Sequence, residues 1–179
     1  MNPMKPITNP MLCGTIELMK AENTPEHIKM FTDEMVRARY LAPVIVTPTP
    51  EPDANGIVKL TSEHKMQCPL LATNDGNHFF AAFTDIDELR KWNPDPKQQT
   101  IGFTFNDYAE LLFRKDKDGN VAPAIGFVIN PMGNSIVVTK KMVAKVIASQ
   151  MAQKGMPLPP MIKEFIAPEA PASEETTEN

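Results

Sequence analysis

The chain has 179 residues, of which 42% are hydrophobic and 22% charged, and its formal net charge is −4. This length suits one domain with a proper core, or one domain with appendages. The negative surplus falls on the residues from Lys163 onward, so the rest of the chain is neutral and lacks the basic face that a phosphate backbone needs. We therefore expect no nucleic-acid partner.

Cysteine is sparse and the apolar segments are short. Cys13 and Cys68 are the only cysteines, and they form neither a disulfide framework nor a CxxC zinc pair. No run approaches the roughly 18 apolar residues that span a bilayer. The N-terminus also has no continuous apolar stretch of signal-peptide length. These features favour a cytoplasmic protein with no membrane segment.

Two short amphipathic helices are predicted at the start of the chain. Asn9-Pro10 and Thr24-Pro25 each combine a capping residue with proline at the first helical position. Apolar residues then recur at three- and four-residue steps, namely Leu12, Ile16 and Met19, followed by Ile28, Phe31, Met35 and Ala38. Next, "RYLAPVIVT" predicts one strand to about Thr47. "PTPEPDANG" predicts an irregular surface loop, because its prolines lack the backbone N–H that regular structure needs. "GIVKL" predicts a short strand after it.

A hairpin is the strongest local prediction. In "MQCPLLATNDGNHFFAAFT", Asp75-Gly76 separates two apolar runs, which is typical of a two-residue type I′ turn. This turn would place Thr73 opposite His78 and Cys68 opposite Phe83. Cys68 and His78 would then lie on opposite faces of the hairpin, which argues against a nucleophilic Cys–His pair.

Two more helices and one strand are predicted after the hairpin. Thr84 is the expected N-cap of "DIDELRKW", with Asp87 in the position that completes a capping box. "TIGFTF" has the composition of a strand. Asn106 is the expected cap of "DYAELLFR", where Asp107 would lie at the positive end of the helix.

The stretch "AIGFVINPMGNSIVVTKK" predicts a second hairpin followed by the last helix. Asn130 and Pro131 suit the first two positions of a type I turn. Gly133 suits a left-handed position that closes a three-residue loop with a bulge. Turn chemistry thus accounts for part of "NPMGN", and whether the loop also binds a ligand stays open.

Two lysines give this loop a candidate binding role. Lys140 and Lys141 open the last helix, predicted to run to about Gln153, and the helix dipole disfavours cations at that end. An anionic partner would offset this cost. The candidate binding residues are Asn130, Met132, Asn134, Lys140 and Lys141.

A tail is predicted to follow the folded domain. The domain is expected to span residues 1–155, and residues 156–179 to form a Pro-rich acidic tail that is partly disordered. Within the tail, "MIKEFI" is apolar enough to dock on the domain or on a partner. "PLPP" could form a polyproline II segment.

Common catalytic and metal-binding motifs are missing from the sequence. GxSxG, HExxH, GxxxxGK and GxGxxG do not occur. A calcium loop starting at Asp116 would need an acid where Phe127 stands. We therefore expect no catalytic residue, metal or cofactor. An enzyme of unrecognised type would need Asp107, His78 and Asn130 to converge within about 10 Å.

The ordered series of motifs carries a family resemblance. After an "NP" start come "MVRARYLAPV", "CPLLATNDGNHFFAAFTDIDELRKW", "FNDYAELLF" and "GFVINPMGNSIVVTKKMV". In this order they resemble the N-terminal domain of the SseB family, named for enhanced serine sensitivity, over about Asn9 to Gln153. The resemblance implies a bacterial cytoplasmic α+β domain and supplies no catalytic residues. Unlike two-domain members, this chain has only the Pro-rich tail after the predicted last helix.

The sequence therefore predicts a single α+β domain with a mixed, largely antiparallel sheet and flanking helices. The expected function is a non-enzymatic binding or adaptor domain whose partner is a protein or an anionic small molecule. The alternative is an enzyme or small-molecule-binding domain of unrecognised type. Strand order and oligomeric state stay open.

Overall fold

The computed structural model describes residues 6–51 and 60–166, and its helices and strands form an α+β fold, as predicted. The helices are α1 (Pro10–Ala21), α2 (Pro25–Arg37), α3 (Ile86–Trp92), α4 (Phe105–Phe113), α5 (Lys140–Gln153) and α6 (Pro160–Ile166). The strands are β1 (Arg39–Pro43), β2 (Ile45–Thr47), β3 (Lys65–Gln67), β4 (Leu70–Ala72), β5 (His78–Ala82), β6 (Thr100–Thr104), β7 (Gly126–Ile129) and β8 (Ile136–Thr139). Among these described residues, no helix is long and apolar enough to cross a membrane.

The chain divides into two compact units, one up to Thr139 and one from Lys140 onward. The first unit contains α1 to α4 and all the described strands. In the second unit, α5 and α6 pack against each other. Helix α6 includes "MIKEFI", the segment for which docking was predicted, and it docks on α5. The predicted strand at "GIVKL" and the final dozen residues of the tail lie largely outside the described residues.

A four-stranded sheet in the order β4-β5-β7-β8 forms the centre of the first unit. Only β5 and β7 run parallel, and the other neighbours are antiparallel, so the predicted mixed, largely antiparallel sheet is confirmed. Two further antiparallel pairs are β1-β6 and β2-β3. Leu41 of β1 exchanges two backbone hydrogen bonds, of 2.9 and 3.0 Å, with Phe83 just after β5, which ties β1 to the central sheet.

The predicted single strand from Arg39 to Thr47 is two strands. Between β1 and β2 the chain changes partner, from β6 to β3. Gln99 stabilises this change, because its backbone oxygen accepts from Val44 N at 2.9 Å and its side-chain Oε1 accepts from Val46 N at 2.8 Å. A pattern of apolar residues cannot reveal such a change, since both strands have the same composition.

The register predicted for the first hairpin is wrong by one residue. Ala72 pairs with His78, and Thr73 N donates to Asn77 O at 2.9 Å, so the loop spans residues 74–76. Gly76 takes the left-handed conformation, with φ 79°. The Asp75 carboxylate bonds both Thr73 Oγ1 and Asn77 Nδ2, which stabilises the wider loop.

The hairpin does not extend back to Cys68, so the argument from opposite faces does not apply to Cys68 and His78. β4 begins at Leu70, and Phe83, the predicted partner of Cys68, pairs with Leu41 instead. Ala72, the partner of His78, lies four residues beyond Cys68 in the chain. Burial also raises the pKa of the Cys68 thiol, which disfavours the nucleophilic thiolate.

Two predicted helix caps are wrong and one is confirmed. Thr24 caps α2 by accepting a hydrogen bond from His27 N. The N-cap of α3 is Asp85 rather than Thr84, and the N-cap of α4 is Thr104 rather than Asn106. Thr104 forms a capping box with Asp107, whose carboxylate accepts from Thr104 N at 2.7 Å. The pairing of β6 with β1 extends to Thr104, which places that residue at the helix start.

Aromatic residues from separate elements form the core of the first unit. Tyr108 of α4 stacks on Phe127 of β7 with ring centroids 4.7 Å apart, and Tyr40 of β1 meets Tyr108 edge-on at 5.8 Å. Both tyrosine hydroxyls are satisfied inside this core. Tyr108 donates to Ala81 O and Tyr40 donates to Met35 O, each at 2.8 Å.

Alkaline pH is expected to destabilise the fold through these two residues, the only tyrosines of the chain. Burial raises the pKa of both hydroxyls in the folded state. Below about pH 10, the pKa of tyrosine in the unfolded chain, both hydroxyls are protonated and stabilise the fold fully. As the pH rises above this value, the free energy of unfolding falls by about 1.4 kcal/mol per pH unit for each tyrosine. Denaturant titrations from pH 8 to 11.5 measure this loss. Tyrosinate absorbance should appear only together with unfolding, and a titration near pH 10 in the folded protein would contradict the prediction.

Candidate functional site

The NPMGN loop, Asn130 to Asn134, follows β7 and does not have the predicted geometry. Ile129 pairs with Ile136, so residues 130–135 connect the strands, more than the three expected. Gly133 N donates to Asn130 O at 3.0 Å, which closes a turn. The left-handed residue is Asn130, with φ 50°, and not Gly133. Asparagine tolerates this conformation better than most residues with a side chain.

Asn130 is buried and bonded to the end of β5. It is 2% exposed, and its backbone N donates to Ala82 O at 2.9 Å. Its side-chain Oδ1 accepts from Thr84 N at 3.0 Å, and its Nδ2 donates to Thr84 Oγ1 at 2.9 Å. Thr84 is fully buried. The amide of Asn130 therefore fastens the start of the loop to the segment that leads into α3.

Asn9 ties a third segment to this junction. Although it occupies the N-cap position of α1, its side chain makes no capping hydrogen bond. Its Nδ2 instead donates to Thr84 O and to Arg39 O, each at 2.7 Å. The starts of α1 and β1 and the end of β5 thus meet beside Asn130.

Gly133 lies against Glu88 of α3. A Cβ on Gly133 would lie 2.1 Å from Glu88 Oε2, so a larger residue at this position would require the Glu88 side chain to move. The Glu88 side chain is 15% exposed, and its Oε1 pairs with Lys91 Nζ at 2.5 Å. Its Oε2 is buried and has no hydrogen-bond partner among the described residues. The loop is therefore packed against α3 as well as bonded to Thr84.

The NPMGN loop and α3 each present an apolar side chain to solvent. Met132 is 63% exposed and Ile86, in the first turn of α3, is 44% exposed. Ile86 lies between Thr84 and Glu88 in the chain, just as Met132 lies between Asn130 and Gly133. Asn134 is half-buried. We call Ile86, Met132 and Asn134 the loop surface.

The comparison with known proteins agrees with the motif order. The model of the SseB protein N-terminal domain matches residues 15–145. The chain belongs to the SseB family. No match to a curated protein or to a solved structure was found.

Separate segments of the chain meet at this junction. Thr84 and Glu88 come from "FTDIDELRKW" and Asn130 and Gly133 from "NPMGN", both within the residues that match the SseB domain, whereas Asn9 precedes them. Sequence reasoning identified Asn130 but missed Thr84 as its partner and Glu88 as the neighbour of Gly133. Gly133 is the residue whose type hints at this close packing, since the left-handed position belongs to Asn130 in the structure.

The two predicted lysines lie in the other unit of the SseB chain. Thr139, the last residue of β8, pairs with Gly126 at the end of the hairpin remote from the NPMGN loop, and Lys140 follows it at the start of α5. Lys140 is half-buried, and this burial lowers its pKa, while Lys141 is exposed. Within the first unit, then, the structure brings together Asn130, Met132 and Asn134 only.

The predicted set of acid–base residues does not converge in the SseB domain. Asp107 is engaged in the capping box of α4. His78 lies at the start of β5, whereas Asn130 bonds to Ala82 at its end, four residues or about 13 Å away. This exceeds the separation that acid–base partners tolerate.

A metal site is not assembled among the residues that the structure describes. These residues contain no group of three or more His, Cys, Asp or Glu that could hold an ion. The Asp116 carboxylate, in the loop compared with a calcium site, instead accepts from the backbone N of Asp118 and of Asn120, both at 2.9 Å. These hydrogen bonds lower the pKa of Asp116 and account for it as a turn residue.

Proposed function

We propose that this SseB domain is a non-enzymatic adaptor that binds a protein partner through the loop surface. The observation that supports this proposal is the exposed Met132, presented by a loop that is bonded through Asn130 and packed against α3 at Gly133. A large apolar side chain on an exposed loop contributes little to the stability of its own domain. Its exposure is what a protein-binding residue requires.

The rigid frame of the loop favours binding. A loop that is ordered before binding loses less conformational entropy when a partner docks. The unbranched thioether of Met132 also adapts to irregular apolar surfaces. The loop surface thus offers a fixed backbone with an adaptable anchor.

Charge around the loop surface favours a protein over an anion. The first turn of α3 carries Asp87 and Glu88, and Asp85 caps the helix. These three carboxylates would repel an anionic metabolite. An apolar protein segment, above all one with basic residues, avoids this repulsion.

The second candidate function is binding of an anionic small molecule at Lys140 and Lys141. It is supported by the position of both lysines in the first turn of α5 and by the lowered pKa of Lys140. A bound anion would favour the charged form of that lysine. This candidate uses the second unit and leaves the loop surface unoccupied.

Affinity capture tests the two candidates side by side. Tagged full-length chains would be native, Met132→Glu, and Lys140→Glu with Lys141→Glu, each exposed to lysate of the source cells, and captured proteins would be identified by mass spectrometry. We expect a specific partner with the native chain and the lysine variant, and its loss with Met132→Glu. With the purified partner, calorimetry should show at least a tenfold weaker dissociation constant for Met132→Glu, because a central apolar anchor commonly contributes more than 1 kcal/mol.

Met66→Glu is the matched control. Met66 is 43% exposed on β3, in a separate two-stranded sheet, so the same chemical change there should leave the partner bound. Circular dichroism would verify that each variant is folded. A partner lost only with the lysine variant would favour the second candidate, and no specific partner with any chain would contradict the adaptor function.

A further inference from the structure

An open, mostly apolar groove of about 470 Å³ lies along α1, and its lining residues do not belong to the loop surface. Met30 of α2 forms one wall. The α1 residues that line it are mostly apolar or small, with one exposed acid, and comprise Pro10, Met11, Gly14, Thr15, Glu17, Leu18 and Ala21. Met11 is 66% exposed, Leu18 43% and Met30 40%. Since Leu12 and Ile16 are buried on the inner side, α1 is apolar on both sides, which is unusual for a surface helix.

Gly14 is not explained by the packing of its own chain. In the interior of a helix, glycine is more destabilising than any residue except proline. A Cβ on Gly14 would meet nothing within 4 Å. The other described glycines have a local reason, either a positive φ (Gly76, Gly119 and Gly155) or an atom at 3.0 Å or closer to the added Cβ (Gly102, Gly126 and Gly133). The open space above Gly14 fits the close approach of another molecule.

Large and small residues alternate along the groove in a self-complementary order. Met11, Gly14, Leu18 and Ala21 follow one another at steps of three, four and three residues, the spacing of a helix–helix seam. A two-fold axis at the level of Ile16 would place Met11 of one copy opposite Ala21 of the other. It would likewise place Gly14 opposite Leu18. Each large side chain would then face a small residue of the second copy.

We propose that α1 pairs with α1 of a second copy of this chain in an antiparallel homodimer. Leu18 of one copy enters the space above Gly14 of the other, and Met11 lies against Ala21. A parallel pair would set Gly14 on Gly14 and leave that space empty, which packs poorly. The dimer uses a different surface from the proposed partner-binding loop and does not depend on it.

This association is weak, because the interface is small. Helix α1 has 12 residues and is about 18 Å long. One helix pair of this length buries less than the roughly 800 Å² per partner of a standard interface. We expect a dissociation constant between about 10 μM and 1 mM. Purified protein should therefore be monomeric when dilute and dimeric when concentrated.

Sedimentation equilibrium of the full chain from about 5 μM to about 1 mM tests the dimer. The mass should rise from 19.9 kDa toward twice that value. Gly14→Leu should weaken association at least tenfold, because it fills the space that Leu18 of the second copy needs. Its own fold has room for the new side chain, so its thermal midpoint should equal or exceed that of the native chain. Met66→Glu, the control on β3, should associate like the native protein.

Disulfide cross-linking tests the antiparallel register. Met11→Cys and Ala21→Cys chains would be oxidised with copper phenanthroline, separately and as a mixture, with native Cys13 and Cys68 present throughout. We expect at least fivefold more covalent dimer from the mixture than from either variant alone. A constant mass at all concentrations, native-like association of Gly14→Leu, or equal cross-linking by Met11→Cys alone would each overturn the proposal. The proposal would also be overturned if the chain did not self-associate and the groove bound a different protein.

Discussion

Replacing Asn130 with alanine should lower the free energy of unfolding by about 2–4 kcal/mol. Part of this loss comes from Thr84, whose buried backbone N–H donates to the Asn130 side chain and would be left without an acceptor. An unsatisfied buried group costs about 1–3 kcal/mol. The rest comes from the left-handed backbone of residue 130, which costs alanine about 1 kcal/mol more.

Urea denaturation followed by circular dichroism measures this change. Asn130→Gly separates the two causes, because glycine tolerates the left-handed conformation but cannot restore the hydrogen bonds. It should recover about 1 kcal/mol of the loss. Asn134→Ala, in the same loop but half-buried, is the control and should cost less than about 0.5 kcal/mol. If Asn130→Ala stayed within that range too, the junction with Thr84 would not stabilise the fold.

Gly126→Ala is expected to lower the free energy of unfolding at least as much as Asn130→Ala, by about 3 kcal/mol or more. Gly126 pairs with Thr139 between β7 and β8. A Cβ there would lie 2.2 Å from Val138 O and 2.9 Å from Thr139 Cα. Both are backbone atoms of the paired strand, so no side-chain rotation relieves the overlap and the two strands must separate. Overpacking in a core commonly costs 1–3 kcal/mol, and more where the backbone must move.

Gly14→Ala is a matched control, because the same substitution there should raise rather than lower the free energy of unfolding. One methyl group is added in both variants, but at Gly14 it enters open space on a helix. Gly14→Ala should raise the free energy of unfolding by up to about 1 kcal/mol at dilute protein concentration. Thermal and urea denaturation of both variants measure the contrast. Equal and small effects at the two positions would show that β7 and β8 are not packed as closely as described.

Local chemistry made several elements predictable. Thr24-Pro25 starts α2 as expected, and α5 ends at Gln153 as expected, because caps, prolines and apolar periodicity act within a few residues of one another. The prediction that α5 is the last helix was wrong, since α6 follows it. The hairpin on either side of the NPMGN loop was correct as an antiparallel pair. These signals do not need the rest of the fold.

Errors occurred where two local solutions were close in energy. Thr84 and Asp85 can each cap α3, and Asp85 does so because Thr84 is bonded to Asn130, 46 positions further along the chain. Likewise a two- or three-residue loop suits Asp75-Gly76 equally well. The hydrogen bonds of Asp75 accompany the longer loop, and the strand register shifts by one residue.

The α+β class, the family motifs in their order and the positions of most helices follow from the amino-acid sequence, because each depends on neighbours along the chain. That Asn130 is a buried link rather than an exposed ligand follows only from the folded chain, since its partner Thr84 is distant in sequence. The same holds for the contact of Gly133 with Glu88 and for the exposure of Met132. Burial and close approach are properties of contacts between segments, which a linear pattern of residues does not specify.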